Sequence, residues 1–234
     1  MAFDLSSRRV AVVGLGKSGV ATLRFLLQAG AQVLGCDDRP EAALRSTLAT
    51  LGEHAHSPAL QLHLGGLRAA VLSSVDLIVL SPGVPPTREP IVAARQAGVP
   101  ITGEIELASH YVQAPIVGIT GTNGKSTTTA LVHHIIETAG IPTRMGGNIG
   151  LPILGQEPLP AGGIYVLELS SYQIDLTFSL DCDVAVLLNI TPDHLDRYDG
   201  FEGYCASKAR LFAMQSTGRK AGRIQRRFKW EVGG

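Results

Sequence analysis

The stretch Gly118-Ile-Thr-Gly121-Thr122-Asn123-Gly124-Lys125-Ser126 constrains this chain more than any other, because it sits between an apolar run ending at Ile119 and a helix-patterned segment from Thr127 to Ala139. A strand, a glycine loop and a helix start in that order form a phosphate cradle. Glycines let backbone N–H groups converge, and the helix N-terminus adds partial positive charge. Lys125 then reaches the β/γ-phosphates of a nucleotide, and the Ser126 hydroxyl holds Mg²⁺. The strict G-x-x-x-x-G-K-[ST] spacing asks for glycine at 119, where Ile119 stands, so this is a variant of the loop.

The 234 residues, 45% of them hydrophobic, suffice for one or two ordinary cores. Twenty basic and twenty acidic residues balance to zero, so no global field favours nucleic acid or a membrane surface. Residues 217–234 carry six Lys or Arg against one Glu, a net +5, which leaves −5 on residues 1–216. Three scattered cysteines, Cys36, Cys182 and Cys205, fit a reducing compartment better than a disulfide framework or a zinc site. Neither a signal peptide nor a run of ~20 apolar residues is present, so a cytoplasmic protein is expected.

Taken from its start, the chain reads as strand, glycine turn, helix and strand. Val10–Val13 is followed by Gly14-Leu-Gly16-Lys17-Ser18-Gly19, then by apolar positions at helical spacing to Gly30. The next strand, Gln32–Cys36, ends in Asp37-Asp38-Arg39. A G-x-G-x-x-G unit with an acid about 20 residues on is the dinucleotide-binding fingerprint, although a nucleotide-sugar diphosphate satisfies the same physics as NAD. After a helix at Glu41–Leu51, a loop is expected to carry His54, His56 and His63, without the partners of a metal site. Leu77–Leu80 is a strand running into Ser81-Pro82-Gly83, at the strand end where open α/β sheets bind ligands. Alternation of strand and helix predicts a Rossmann-like parallel sheet over 1–112, then a P-loop-type parallel α/β domain over 113–215. In the second, the loop Gly146-Gly-Asn148-Ile-Gly150 allows close backbone approach to a ligand. Glu168 interrupts a buried strand, Ile164–Leu169, expected beside the phosphate-loop strand. Val184–Leu188 leads into Asn189, Asp193, His194 and Asp196, and a helix over 201–212 carries Lys208.

Together, Thr120–Ser126, Gly147–Gly150, Glu168-Leu-Ser-Ser171, Asn189, Asp193-His194-Leu-Asp196 and Lys208 resemble the Mur ligases of peptidoglycan precursor synthesis, a family that includes the folylpolyglutamate synthetases. The resemblance covers residues 5 to about 214. It implies an ATP-dependent, Mg²⁺-requiring ligase that phosphorylates a carboxylate and lets an amino-acid amine attack the acyl phosphate. Gly14–Gly19, Ser81–Gly83, Gly103-Glu-Ile-Glu-Leu107 and Leu167–Gln173 are most similar to members that join D-glutamate to UDP-N-acetylmuramoyl-L-alanine. By that resemblance Gly121 to Thr127 and Asn189 hold ATP, while Ser126, Glu168, His194 and Lys208 surround the metal. Lys208 matches a lysine carbamylated by CO₂. Lys125, His194 and Lys208 are the expected catalytic positions. Lys17, Ser18, Asp37, Asp38, Arg39, Ser81, Pro82, Gly83, Asn148 and His194 are expected to bind the UDP-muramoyl substrate.

Two departures carry expectations of their own. The family's C-terminal amino-acid-binding domain is not seen and the second domain looks incomplete, which predicts impaired or absent ligation and low solubility. From 216 onward no strand or helix periodicity is visible, so 216–234 is expected to be a disordered tail foreign to the family. An NAD-dependent oxidoreductase and a nucleotide-binding protein without turnover remain the competing readings.

Overall fold

A computed structural model describes residues 4–223 of the chain. They form two compact units, one made of 4–113, 147–158 and 176–180, the other of 114–146, 159–175 and 181–223.

In the first unit the strands are β1 (Arg9–Val13), β2 (Gln32–Asp37), β3 (Leu60–Leu64), β4 (Leu77–Leu80) and β5 (Ile101–Gly103). They pair in parallel in the order β3-β2-β1-β4-β5. Between them run α1 (Lys17–Gln28), α2 (Glu41–Ala49), α3 (Ala69–Leu72), α4 (Glu89–Gln96) and α5 (Glu104–Ser109). Val10 and Val12 face one core with Leu23, Leu26 and Leu44, while Ala11 and Val13 face another with Ile78, Leu80 and Ile91. Burial on both faces explains why β1 and β4 read as unbroken apolar runs.

β3 lies where a histidine loop was expected. It pairs on one side only, with β2, and Leu62 is 40% exposed, so the strand never forms the apolar run used to find the others. Its alternation of Leu60, Leu62 and Leu64 with Gln61 and His63 was the available signal. His54 and His56 lie in a 3-10 turn, Gly52–His56.

Two later segments are built into this unit by contacts that local sequence does not announce. Glu106, 8% exposed, accepts hydrogen bonds from the Phe178 amide (2.7 Å), the Ser179 amide (2.9 Å) and the Ser179 hydroxyl (2.6 Å), with His110 Nε2 at 3.1 Å. Burial raises its pKa, but these bonds outweigh burial and leave it below the ordinary value. A depressed folded-state pKa gives stability that is present above the unfolded-state value and lost as pH falls through the folded one. Glu106→Ala is therefore expected to cost about 2–4 kcal/mol at neutral pH by stranding these donors. Denaturant melts at pH 7 and at pH 3 check this, because the gap between wild type and variant must narrow at the lower pH.

The second unit has β6 (Ile116–Thr120), α6 (Lys125–Thr138), β7 (Thr143–Gly147), β8 (Ile164–Glu168), α7 (Ser171–Asp175), β9 (Val184–Leu187), α8 (Gly200–Ala213) and β10 (Lys220–Arg223). Their sheet runs β10-β9-β6-β8-β7, with β6 central and parallel to both β8 and β9. β10 corrects the expectation of a structureless tail from 216: Lys220 to Arg223 pair in parallel with Val184 to Leu187. Arg219, bonded to Asp181 and Asp183, and the Ser216 hydroxyl, 2.6 Å from Asp181, hold the approach to this strand. Lys-Ala-Gly-Arg has no apolar run, so only its partner identifies it as a strand. Residues 224–234, on which the rest of that expectation falls, lie outside the described residues.

Candidate functional site

In the second unit the phosphate loop leaves β6 after Thr120 and enters α6 at Lys125. Gly124 makes the turn at φ +81°, a conformation that suits glycine. The loop is held from the β9 side. Thr122 N donates to Asn189 O (2.9 Å), Asn123 N to Asn189 Oδ1 (2.9 Å), and Asn189 Nδ2 returns a bond to Asn123 O (2.9 Å). Asn189, expected to touch nucleotide, is thus engaged by the loop itself. The Thr122 hydroxyl adds Thr191 and Tyr204 as partners. Lys125 Nζ donates to Thr122 O at 2.8 Å, curling back over the loop, while Ser126 and Thr127 are exposed at the first turn of α6.

Glu168 lies on β8 in register with Ile119, one residue before the end of β6, and is 1% exposed. The strand adjacency expected for it is therefore present. Lys208 on α8 is also 1% exposed, with Nζ 3.5 Å from Thr120 Oγ1 and 4.7 Å from the Tyr204 ring centroid. Burial, reinforced by the positive charge of Lys125, pushes its pKa down to about 8, against the pull of Asp193 and Asp175. The neutral amine is therefore easier to reach here than at a solvated lysine. Tyr204 and the Asp175–Tyr198 pair (2.8 Å) escaped sequence reasoning. Tyr204, Ser207, Lys208 and Leu211, all buried, share one face at helical spacing, and that was the signal for Tyr204.

His194 has φ +52°, uncommon for a residue with a Cβ, and its side chain is 48% exposed. Its ring lies 5.1 Å from that of Tyr172, over which Arg197 stacks at 3.7 Å. Among the described residues no group of three or more His, Cys, Asp or Glu converges as an all-protein metal cage. The Ser126 hydroxyl and the Glu168 carboxylate are hard oxygen donors. That sparse set fits Mg²⁺, which takes one or two carboxylates and completes its octahedron with phosphate and water.

The first unit has its own cavity, of about 530 Å³, between the Gly14–Gly19 loop, Asp37–Arg39, Ser81–Val84, Arg88 and Asn148. Gly19 is required by close approach, since a Cβ there would stand 2.0 Å from the Gly14 carbonyl oxygen. Asp37, 6% exposed, accepts from the Leu15 amide (2.7 Å) and from Arg39 N, Nε and Nη2 (2.9, 2.9 and 2.8 Å). Burial raises its pKa, yet Arg39 and the Leu15 amide prevail and lower it to about 2. Its oxygens are thereby engaged in shaping the loop. Ser81 Oγ likewise donates to Gly14 O at 2.6 Å. Asp38 binds Arg88, and its Oδ1 lies 3.3 Å from the Leu67 amide. Arg88 and Leu67 had not been anticipated. Lys17, Ser18, Pro82, Gly83 and Asn148 do line the cavity.

Two parallel α/β units, each with a glycine loop between strand and helix at the C-terminal ends of its strands, define an α/β protein of the phosphate-loop fold class with a Rossmann-like companion. Family models agree segment by segment: the Mur ligase MurD-like N-terminal domain matches residues 8–103 and the Mur ligase middle domain matches 119–222. The chain belongs to the Mur ligase family and carries its N-terminal and middle domains. The second match also corrects the expected break at 216, since family similarity continues to 222. A UDP-N-acetylmuramoylalanine--D-glutamate ligase of Novosphingobium aromaticivorans is 58% identical over 215 residues, 90% of this chain and 46% of that protein. The enzyme of the same name from Zymomonas mobilis is 53% identical over 221 residues, 91% of this chain and 49% of its own length. The chain thus spans about half the length of the curated relatives it matches. The solved UDP-N-acetylmuramate-alanine ligase MurC of Thermotoga maritima shares the fold at TM-score 0.53 and 21% identity, over 89% of this chain and 47% of that one. No helix among the described residues is long and apolar enough to cross a membrane.

Proposed function

We propose that this chain provides the UDP-substrate and ATP sites of a ligase that joins D-glutamate to UDP-N-acetylmuramoyl-L-alanine in peptidoglycan precursor synthesis. The observation that carries the proposal is the convergence at the phosphate loop. Glu168 pairs in register with Ile119, and buried Lys208 reaches the Thr120 hydroxyl within one residue of it. In this reading Lys125 and the amides of 121–124 hold the phosphates of ATP, and Ser126, with Glu168, holds Mg²⁺. The metal supplies charge neutralisation when phosphate is transferred to the substrate carboxylate. Lys208, carbamylated, and His194 complete the metal and substrate surroundings, and Asn189 keeps the loop in shape. The cavity of the first unit takes the uridine diphosphate, with Lys17, Ser18 and Arg88 facing the anion and Asn148 the sugar. NAD is disfavoured because Asp37, which would receive a ribose hydroxyl, already has Arg39 and the Leu15 amide on its oxygens.

A thermal-shift panel on the 234-residue chain tests the assignment. MgATP and UDP-N-acetylglucosamine are each expected to raise the melting temperature, because a ligand at 100 times its Kd adds about 2.7 kcal/mol. Stabilisation by NADH with no response to either of the other ligands would replace this reading with the oxidoreductase one.

A further inference from the structure

Behind the first unit's cavity lies a carboxyl group that neither the proposed reaction nor the fold accounts for. Glu104 opens α5 and is 3% exposed, and neither of its oxygens closes a hydrogen bond of ordinary geometry among the described residues. The groups that favour its charged form are the Ser18 hydroxyl and the backbone amides of Leu154 and Ile153. These belong to two different walls. Ser18 lies in the first turn of α1 and lines the cavity. Ile153 and Leu154 form a 3-10 turn in the 147–158 segment, whose Asn148 also lines it. That turn packs on α1 closely enough that a Cβ on Gly155 would come within 3.1 Å of the Ala21 Cβ.

Among the described residues, the elements packed around Glu104 bring it no opposing charge. β5 is Ile-Thr-Gly and the 3-10 turn is Ile-Leu-Gly. On α1, Lys17 is exposed and Arg24 bonds the Thr50 carbonyl. On α5 itself, Glu106 is taken by Ser179, Phe178 and His110. Burial is consequently the largest influence on Glu104 and pushes its pKa up to about 7, while Ser18 and the two amides oppose it.

We propose that Glu104 is a positioning residue for the anion-binding loop, its buried carboxyl setting which way the Ser18 hydroxyl points its one proton. A neutral carboxyl offers its carbonyl oxygen to the two amides and donates its O–H to Ser18 Oγ, which frees the serine proton for a phosphate oxygen in the cavity. An ionised carboxyl has no proton to give and takes the serine's instead, so Ser18 turns lone pairs toward an anionic ligand. No bond is made or broken beyond the carboxyl proton, which comes from solvent and returns to it. Ligand binding then favours the protonated carboxyl, and linkage requires that affinity and protonation rise together.

The inference rests on the reading of this cavity as a diphosphate site, and the test separates the two. The probe is UDP-N-acetylglucosamine, whose diphosphate has no ionisation near neutral pH, titrated calorimetrically into the 234-residue chain from pH 6 to pH 9. Affinity is expected to fall above neutral pH by up to about tenfold per pH unit, with net proton uptake on binding in buffers of different ionisation enthalpy. Glu104→Gln, whose amide N–H imitates the neutral carboxyl, is expected to bind equally well at all pH values. Ser18→Ala, which leaves the buried carboxyl in place, should bind weakly and without pH dependence. Carboxyl ¹³C NMR of the wild-type chain should show one glutamate titrating near neutrality, absent in Glu104→Gln and shifted to higher pH by the probe. Binding that is tight and independent of pH in the wild type overturns the role of Glu104 and leaves the diphosphate site standing. Failure to bind at any pH overturns both.

Discussion

Lys125→Ala is expected to weaken MgATP binding by about 100-fold, equivalent to about 2.7 kcal/mol, while leaving the affinity for UDP-N-acetylglucosamine unchanged. The lysine is the only cation in the 121–127 stretch, and its ammonium is already drawn back over the loop by the Thr122 carbonyl at 2.8 Å. A charged donor placed there contributes through hydrogen bonds to phosphate oxygens, and alanine offers none. The variant should stay folded. Its side chain is not part of a core cluster, and the loop keeps the Asn189 bonds to Thr122 and Asn123. Calorimetry with each ligand separately is the check. If Lys125→Ala loses both ligands together, unfolding is responsible, and Lys125→Met serves as the second variant because it keeps the aliphatic stem. Unaltered MgATP affinity in a folded variant would remove the phosphate loop from the mechanism.

Gly19→Ala should do the converse, and more severely. The new methyl group would meet the Gly14 carbonyl oxygen at 2.0 Å and the Ser81 Oγ at 3.0 Å. The oxygen belongs to backbone that also accepts the Ser81 hydroxyl, so neither neighbour can yield without opening the glycine turn. A clash of this kind costs about 3 kcal/mol or more, and a unit of this size then melts about 10 °C or more lower. Binding of UDP-N-acetylglucosamine should be lost and MgATP binding kept in whatever fraction remains folded. Gly16→Ala is the natural comparison, since a Cβ at Gly16 meets nothing within 4 Å. It should leave stability within about 0.5 kcal/mol of wild type. Equal stability of the two variants would mean that the turn is not held by close packing at position 19.

Much of both sites was visible in the residues. The strand, loop and helix around Lys125 were located because an apolar run, a glycine cluster and a 3.6-residue period adjoin one another, and these are local signals. Glu168 stood out as a carboxylate inside an apolar strand, and its neighbour could be named because parallel sheets place the phosphate-loop strand centrally. The G-x-G-x-x-G turn was equally plain, but the work of its acid was not. Asp37 shapes the loop through Leu15 and Arg39, a bonding pattern that depends on distances no spacing encodes. Asn189 is a similar case, a polar residue at a strand end that grips the neighbouring loop.

Sequence alone determined the class of fold, the two glycine loops, the family resemblance and the positions of Lys125, Glu168 and Lys208. The fold class, the glycine loops, Lys125 and Glu168 follow from composition and period within a few tens of residues, whereas Lys208 was singled out only by the resemblance to the family. Tertiary structure decided that β3, β7 and β10 are strands, since edge strands lack burial on both faces and so lack an apolar run. It also decided that 147–158 and 176–180 join the first unit, where Glu106 bonds residues more than 70 positions away. The burial of Lys208 and Glu104, and with it the displacement of their pKa values toward neutrality, was likewise settled there. A residue's identity sets its ordinary pKa, but only the atoms packed around it determine how much its charge costs.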